Sequence, residues 1–491
     1  MTKICSALLC FVSLNAWATT YYVKPGGNNN NSGTSEASAF STLQHASGIV
    51  ATGDSVVVKA GNYTGFYHTT SGNASNPIVF AAQSGVVINA SNGITQDGIN
   101  IEGADYITIE GFTIINIPRA GIRSVINTGV RLKNNTINNC GVWGILTGFS
   151  ENILIEGNEC SHSAQQHGIY FSNSADNPII KNNICHDNAG CGIHMNGDVS
   201  LGGDGIISGA LVEKNIIYNN GNSGGSGINC DGVQNSRIQN NLLYNNHASG
   251  ISLYQIDAGD AAKNNVVVNN TVLQPSDGRW ALNISDGSTG NIVFNNIFYS
   301  AHSFRGSISI DAASSTGFES DHNVMSNRMS SDGGNTNQTL AQWTSNMQAD
   351  ANSILSTPIQ LFVDASANNY HLSPTSSAAE VGLVSFHSKN APLFDLENTS
   401  RPQGNLHDAG AFEKIAVTGL TAFIATPPAV TWQQVSNEEQ IFLLDRSGRV
   451  IFKGTKREVS EKLQTLTHGL YLFKTKNTNK NIYGSGWVAV N

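Results

Sequence analysis

The chain has 491 residues, with 50 Gly, 59 Asn, only 12% charged side chains and a formal net charge of −9. Ordinary domains are about a quarter charged, so a helix-rich enzyme with Lys- and Glu-covered faces is excluded. Hydrophobic residues make up 40% of the chain, enough for a long core, which excludes a disordered chain.

At the N-terminus Lys3 precedes an apolar stretch from Ile4 to Leu14, and Ala16-Trp17-Ala18 gives the small-x-small pattern of a cleavage site. Residues 1–18 thus read as an export signal, with a mature chain expected to start near Thr19 and a secreted or cell-surface location. The apolar run is too short to span a bilayer, and no later stretch reaches about 18 apolar residues. Cys5 and Cys10 fall within the signal. Cys140, Cys160, Cys185, Cys191 and Cys230 remain, an odd number without CxxC spacing, and buried free thiols are expected.

Further along, a Gly-Ile pair recurs as Gly121-Ile122, Gly144-Ile145, Gly168-Ile169, Gly192-Ile193, Gly227-Ile228 and Gly250-Ile251, at separations of 23, 24, 24, 35 and 23 residues. Short apolar-alternating segments ending in Asn-Asn or a variant lie between the pairs, as in Val130–Asn135, Ile179–Asn183 and Val266–Asn270. A strand-turn unit of this size cannot bury its own apolar face, so successive copies must stack into a solenoid. Asn suits the turns, because it tolerates left-handed backbone and its amide can bond to the Asn above. A leucine-rich repeat would need regular leucines and a helical segment in each unit, and neither is present.

These repeats resemble the right-handed parallel β-helix superfamily, which includes pectate lyases, other polysaccharide lyases and several glycoside hydrolases. Tyr21–Gly27, Ala39–Gln44 and Gly53–Tyr63 look like the N-terminal strand, capping helix and first coil of secreted members. Asn369–Pro374, Arg401-Pro402 and Asp408–Glu413 resemble their closing segment. The resemblance runs over roughly Thr20–Glu413 and implies an all-β, right-handed parallel β-helix solenoid with an N-terminal cap over 19–413. Residues 415–491 hold 9 of the 26 Lys+Arg and 5 of the 35 Asp+Glu, so they carry +4 and the rest carries 17 − 30 = −13. Their apolar strands predict a small C-terminal β-sandwich over 414–491, similar to the sorting domains of the type IX secretion system, acting in sorting or as an accessory module.

Strand alternation gives a surface map. If each repeated Ile points inward, so does the residue two further on: Ser124, Thr147, Phe171, Met195, Cys230 and Leu253. The residue after each Ile points out, as do those two beyond it. In the middle coils these outward columns become polar and aromatic, with Tyr170, His194, Asn196, Asn229, Asp231 and Tyr254 on one patch. His167 sits at the turn entering the same strand face. The insertion 199–209 carries Asp204, with Asp198 just before it. Such a patch suits a groove for an extended polysaccharide, with aromatics to stack on sugar rings and amides to bond hydroxyls.

Two chemistries fit. In β-elimination on a uronic acid polymer, His194 or Lys263 is the candidate base, Tyr254 or Tyr170 the acid, and Asn196 or Asn229 the neutraliser. Asp198, Asp204, Asp231, Asp257 and Asp260 offer oxygens that could hold Ca²⁺. In hydrolysis, Asp231 pairs with Asp198 or Asp257. Ile228–Gly232 also resembles the Asn-Thr-Asp motif of polygalacturonase-type hydrolases, but the paired Asp-Asp and Gly-His-Gly motifs of that family are absent downstream. Arg279 joins Tyr170, Asn196 and Asn229 as a candidate for binding substrate, while Lys263 and Arg279 could each instead pair with a carboxylate or be a solvated turn residue. A body at −13 repels a polyuronate unless a cation or a local basic cluster compensates. The same charge, without a basic stripe, argues against nucleic acid. A lyase is favoured, with a hydrolase and a non-catalytic adhesin as alternatives, and the protein is expected to act as a monomer.

Overall fold

The structure, a computed structural model, describes residues 18–414, 440–444, 450–463, 469–477 and 482–490. The expected export signal therefore lies outside the described residues, apart from its last position. Short strands of successive coils align into three parallel sheets of 12, 10 and 12 strands. The register advances one coil at a time: Ile145 pairs with Ile169, Ile169 with Ile193, Ile193 with Ile228 and Ile228 with Ile251. This is an all-β parallel solenoid, and each repeated Ile is fully buried in one continuous core. The glycines before them are set by space. A Cβ on Gly168 would lie 2.8 Å from the Gly192 carbonyl oxygen, and one on Gly192 would lie 2.4 Å from Ile217 Cγ2.

The Asn-Asn pairs divide their work. The first member turns the chain in the left-handed region, at φ 52° for Asn134, 56° for Asn182 and 53° for Asn240. The second is buried in a ladder formed by Asn135, Asn158, Asn183, Asn215, Asn241, Asn270, Asn296 and Asn323. The Oδ1 of Asn158 and of each later member accepts both the backbone N–H and the Nδ2–H of the Asn one coil earlier, at 2.9–3.0 Å. The ladder begins where the Phe112 N–H donates to Asn135 Oδ1 (3.0 Å) and ends where Asn323 Nδ2 donates to Asp350 Oδ1 (3.0 Å). Asp350 is buried and also accepts from Trp343 Nε1, Ser320 and Ser353. All five remaining cysteines are free and buried.

The ends of the solenoid follow the sequence motifs. The strand Thr20–Val23 pairs with Ser55–Val58, and the helix Leu43–Ile49, capped by the Thr42 side chain, buries Leu43 and Ala46 against the core. In the closing segment Arg401 and Glu413 form a buried ion pair at 2.7 Å, and Arg401 also donates to the carbonyls of Asp408 and Gly410.

The chain divides into two compact units at Ile415/Ala416. In the second, Gln440–Leu444, Val450–Gly454, Gly469–Asn477 and Ile482–Val490 form one antiparallel four-stranded sheet, accompanied by the helix Lys456–Leu463. A second sheet, which a sandwich requires, is not among the described residues.

Candidate active site

The site lies on the outer face of the 10-stranded sheet, where the strands Ile169–Ser172, Ile193–Asn196, Ile228–Asp231 and Ile251–Tyr254 run side by side. Register stacks Tyr170, His194, Asn229 and Ser252 in one column, and Ser172, Asn196, Asp231 and Tyr254 in the next. The inward positions follow the alternation map, since Ser124, Thr147, Phe171, Met195, Cys230 and Leu253 are all fully buried.

A directed hydrogen-bond chain crosses the columns. The Cys191 N–H donates to His167 Nδ1 at 2.9 Å, so the proton of a neutral His167 sits on Nε2. His167 Nε2 lies 3.0 Å from His194 Nδ1, which must then accept, leaving the His194 proton on Nε2, 3.3 Å from the Tyr254 hydroxyl. Asn229 Nδ2 donates to the same hydroxyl at 2.7 Å. Tyr254 therefore accepts two N–H donors, and its own proton is left to point elsewhere. Burial holds His167 at about 4 and His194 well below the ordinary imidazole range, His167 adding to the effect on His194. Both rings are thus neutral near pH 7, as the chain requires. Burial also raises Tyr254 and Tyr170 above the usual phenol range. Beside the chain, Asn196 Nδ2 donates to the Tyr170 hydroxyl at 3.1 Å, and Trp143 stacks on Tyr170 with ring centroids 5.9 Å apart.

Several expected roles are corrected. His194 presents a protonated nitrogen to Tyr254, so in this network it is a hydrogen-bond donor and not a base. Asp231 is 0% exposed, and its two oxygens accept the Ile256 and Asp257 N–H groups, each at 2.8 Å. It fastens the turn after Tyr254 and is not free to act as a nucleophile or base. Burial raises it while those backbone donors lower it, burial being the larger effect. Lys263 Nζ is held by both oxygens of Asp260, at 2.6 and 2.8 Å, and is engaged in that pair. The insertion 199–209 packs on the segment 256–260, with the Val199 N–H bonded to the Asp257 carbonyl and the Gly259 N–H to the Gly205 carbonyl. It lies at the ends of the strands Ile193–Asn196 and Ile228–Asp231, where the Ile207 N–H also bonds the Gly232 carbonyl. Asn196, just before the insertion, is only 4% exposed.

The residues do not fit a calcium cage. Ca²⁺ takes about six to eight oxygen ligands, whereas Asp198 Oδ1 accepts the Ser200 N–H and Asp204 Oδ1 the Ile206 N–H. Among the described residues no group of three or more converging metal-ligand side chains includes Asp198, Asp204 or Asp257. The group that does converge is His167, Cys191 and His194, with ligand atoms within 4.8 Å. The two imidazoles there are occupied with each other, and burial pushes the Cys191 thiol up to about 12, far from the thiolate a metal takes.

Beyond Tyr254 the face opens into a cavity of about 460 Å³ lined by Asn229, Ser252, Tyr254, Arg279, Trp280 and Arg305, among others. Arg279 is therefore kept at the site. Arg305 was not among the residues expected from the sequence. The signal for it was its spacing: it follows Arg279 by 26 residues, the offset between the paired strands Leu282–Ile284 and Ile308–Ile310.

Residues 76–201 match the family model described as "Right handed beta helix region". No curated protein sequence matches the chain. Among solved structures, the chain is similar to pectate lyase Pel9A, at 16% identity over 81% of this chain and 97% of that one, with a TM-score of 0.54. It is also similar to XylC in complex with xylose, at 11% identity over 80% and 98% with a TM-score of 0.49. An alginate lyase from Paenibacillus sp. str. FPU-7 matches at 20% identity over 54% and 94%, with a TM-score of 0.45. What Pel9A has in common with the chain is the parallel β-helix.

Proposed function

We propose that this groove degrades a uronic acid-containing polysaccharide by β-elimination, with Tyr254 as the group that moves the proton. The observation that carries the reading is the one-way chain from the Cys191 N–H through His167 and His194 to Tyr254, met there by Asn229. As its phenolate, Tyr254 takes the proton from the carbon next to the uronate carboxylate. That electron pair becomes the C=C bond, the β C–O bond breaks, and Tyr254 returns the proton to the departing oxygen. The products are an unsaturated uronate end and a new hydroxyl, with the phenolate restored. Asn229 Nδ2–H and His194 Nε2–H both point at the phenolate oxygen and counter part of the burial that disfavours its charge, although burial still holds Tyr254 above the usual phenol range. His167 is a positioning residue that keeps the His194 proton on Nε2, and the Trp143–Tyr170 stack offers a flat surface for a sugar ring.

Hydrolysis by paired carboxylates is the weaker reading, because both oxygens of Asp231 are already bonded to backbone N–H groups. The fold is shared with a protein named as a pectate lyase. We further propose that the chain is exported and works outside the cell on its polymer.

The test is the ultraviolet absorbance of unsaturated product on polygalacturonate, alginate and related acidic polymers. Tyr254→Phe is expected to lose about 10²–10⁴-fold in kcat, and wild-type kcat/KM should rise toward alkaline pH as the phenolate forms. New reducing ends without absorbance would replace elimination by hydrolysis. Full activity in Tyr254→Phe would remove the residue from the mechanism.

A further inference from the structure

We infer that the cavity beside Tyr254 is a subsite for an anionic sugar unit, whose acid group is held jointly by Arg279 and Arg305. The inference rests on the groove being a polysaccharide site, but not on the reaction being elimination. The two arginines occupy equivalent places on consecutive coils, because Leu282 pairs with Ile308 at the same offset of 26 residues. Consecutive coils are about 4.8 Å apart, so two guanidinium-bearing turns are stacked on one edge of the cavity. Among the described residues neither side chain forms an ion pair or a hydrogen bond, and both line the cavity. An anion placed between the two turns can take a charge-assisted contact from each guanidinium.

The backbone under Arg305 is fixed in advance. Arg328 donates to the carbonyls of Ser300 and His302, both at 2.8 Å, and of Arg305 at 3.2 Å. His302 Nδ1 accepts the N–H groups of Phe304 and Arg305, each at 3.0 Å. Arg279 is tied down through its N–H to the Ala248 carbonyl at 2.8 Å. One carboxylate, Asp286, also lines the cavity, and it accepts from Ser285 Oγ at 2.7 Å. The local balance is then two cations to one anion, in a body whose total is 17 basic against 30 acidic side chains. This is the basic cluster that a polyanion needs in order to approach a negative protein.

The experiment measures binding of the full chain carrying Tyr254→Phe, by affinity electrophoresis and calorimetry. The probes are polygalacturonate, alginate and their carboxyl-reduced forms, with heparin as a sulfated probe. A carboxylated or a sulfated polymer is expected to bind, which distinguishes the two acid groups, and the reduced forms are not. The double variant Arg279→Ala/Arg305→Ala should weaken binding at least tenfold, with partial recovery in Arg279→Lys/Arg305→Lys. Unchanged affinity in the alanine double variant, equal binding of reduced polymers, or no binding of any anionic probe would each overturn the inference. Arginine-dependent binding with no unsaturated product from wild-type protein would keep the subsite and remove the lyase reading. Unsaturated product insensitive to both arginines would do the reverse.

Discussion

Acidification is the perturbation that most directly tests the buried histidine pair. His167 is held at about 4 by burial, against about 6.5 for an exposed imidazole. Between those values the unfolded chain takes up a proton that the native chain refuses. The contribution of neutral His167 to stability is therefore fully present above about pH 6.5 and is lost as the pH falls toward 4. Near pH 5 the difference in bound protons is about 0.9, a slope of about 1.2 kcal/mol per pH unit, and by pH 4.5 the accumulated loss is about 2.5 kcal/mol. His194 adds to the same slope, because burial and the neighbouring His167 lower it in the same direction. The comparison is His167→Gln, which cannot titrate, measured by urea unfolding from about pH 7.5 down to pH 4.5. The wild-type advantage should shrink by about 2.5 kcal/mol across that range. Parallel curves, or His167 and His194 resonances titrating near 6.5, would refute the reasoning and with it the assigned direction of the hydrogen-bond chain.

Asp231→Asn separates a structural carboxylate from a catalytic one. It keeps one acceptor for the two backbone donors, so urea unfolding should show a loss of about 1–3 kcal/mol, while kcat on the best polymer stays within tenfold of wild type. A kcat loss of a thousandfold in folded Asp231→Asn would return it to the catalytic group. Asn215→Ala removes four hydrogen bonds and orphans the buried Asn183 N–H. It should cost about 3–6 kcal/mol and speed hydrogen exchange at Asn183. A cost below about 1 kcal/mol with unchanged exchange would show that water or a repacked coil replaces the amide.

The fold was legible because its two local rules repeat. Gly sits where the next coil approaches, and the paired Asn combine a left-handed turn with a buried amide, so the period near 24 residues and the inward column could both be read from spacing. The site was legible only where strand alternation alone decides exposure, as at Tyr170, His194, Asn229 and Tyr254. It failed at Asn196 and Asp231, placed by alternation on an open face but buried at the strand ends, where 199–209 packs on 256–260. Sequence spacing does not say which loop folds over which strand. The direction of the His167–His194 chain was equally hidden, since it depends on a single backbone donor at Cys191. Arg305 is reached only by carrying the coil offset of the strands into the turns.

The asparagine ladder has a head and a tail. Each rung gives two protons to the next coil and takes two from the one before, so the links from Asn158 to Asn296 are interchangeable, whereas Asp350 is a terminator that only receives. The solenoid can therefore gain or lose whole coils in its middle without stranding an amide, but cannot be cut back past Asn323 unless a new acceptor is supplied. Its groove is in this sense modular: duplicating one coil beyond Arg305 would lengthen it by a single step of about 4.8 Å and leave the proton path to Tyr254 untouched.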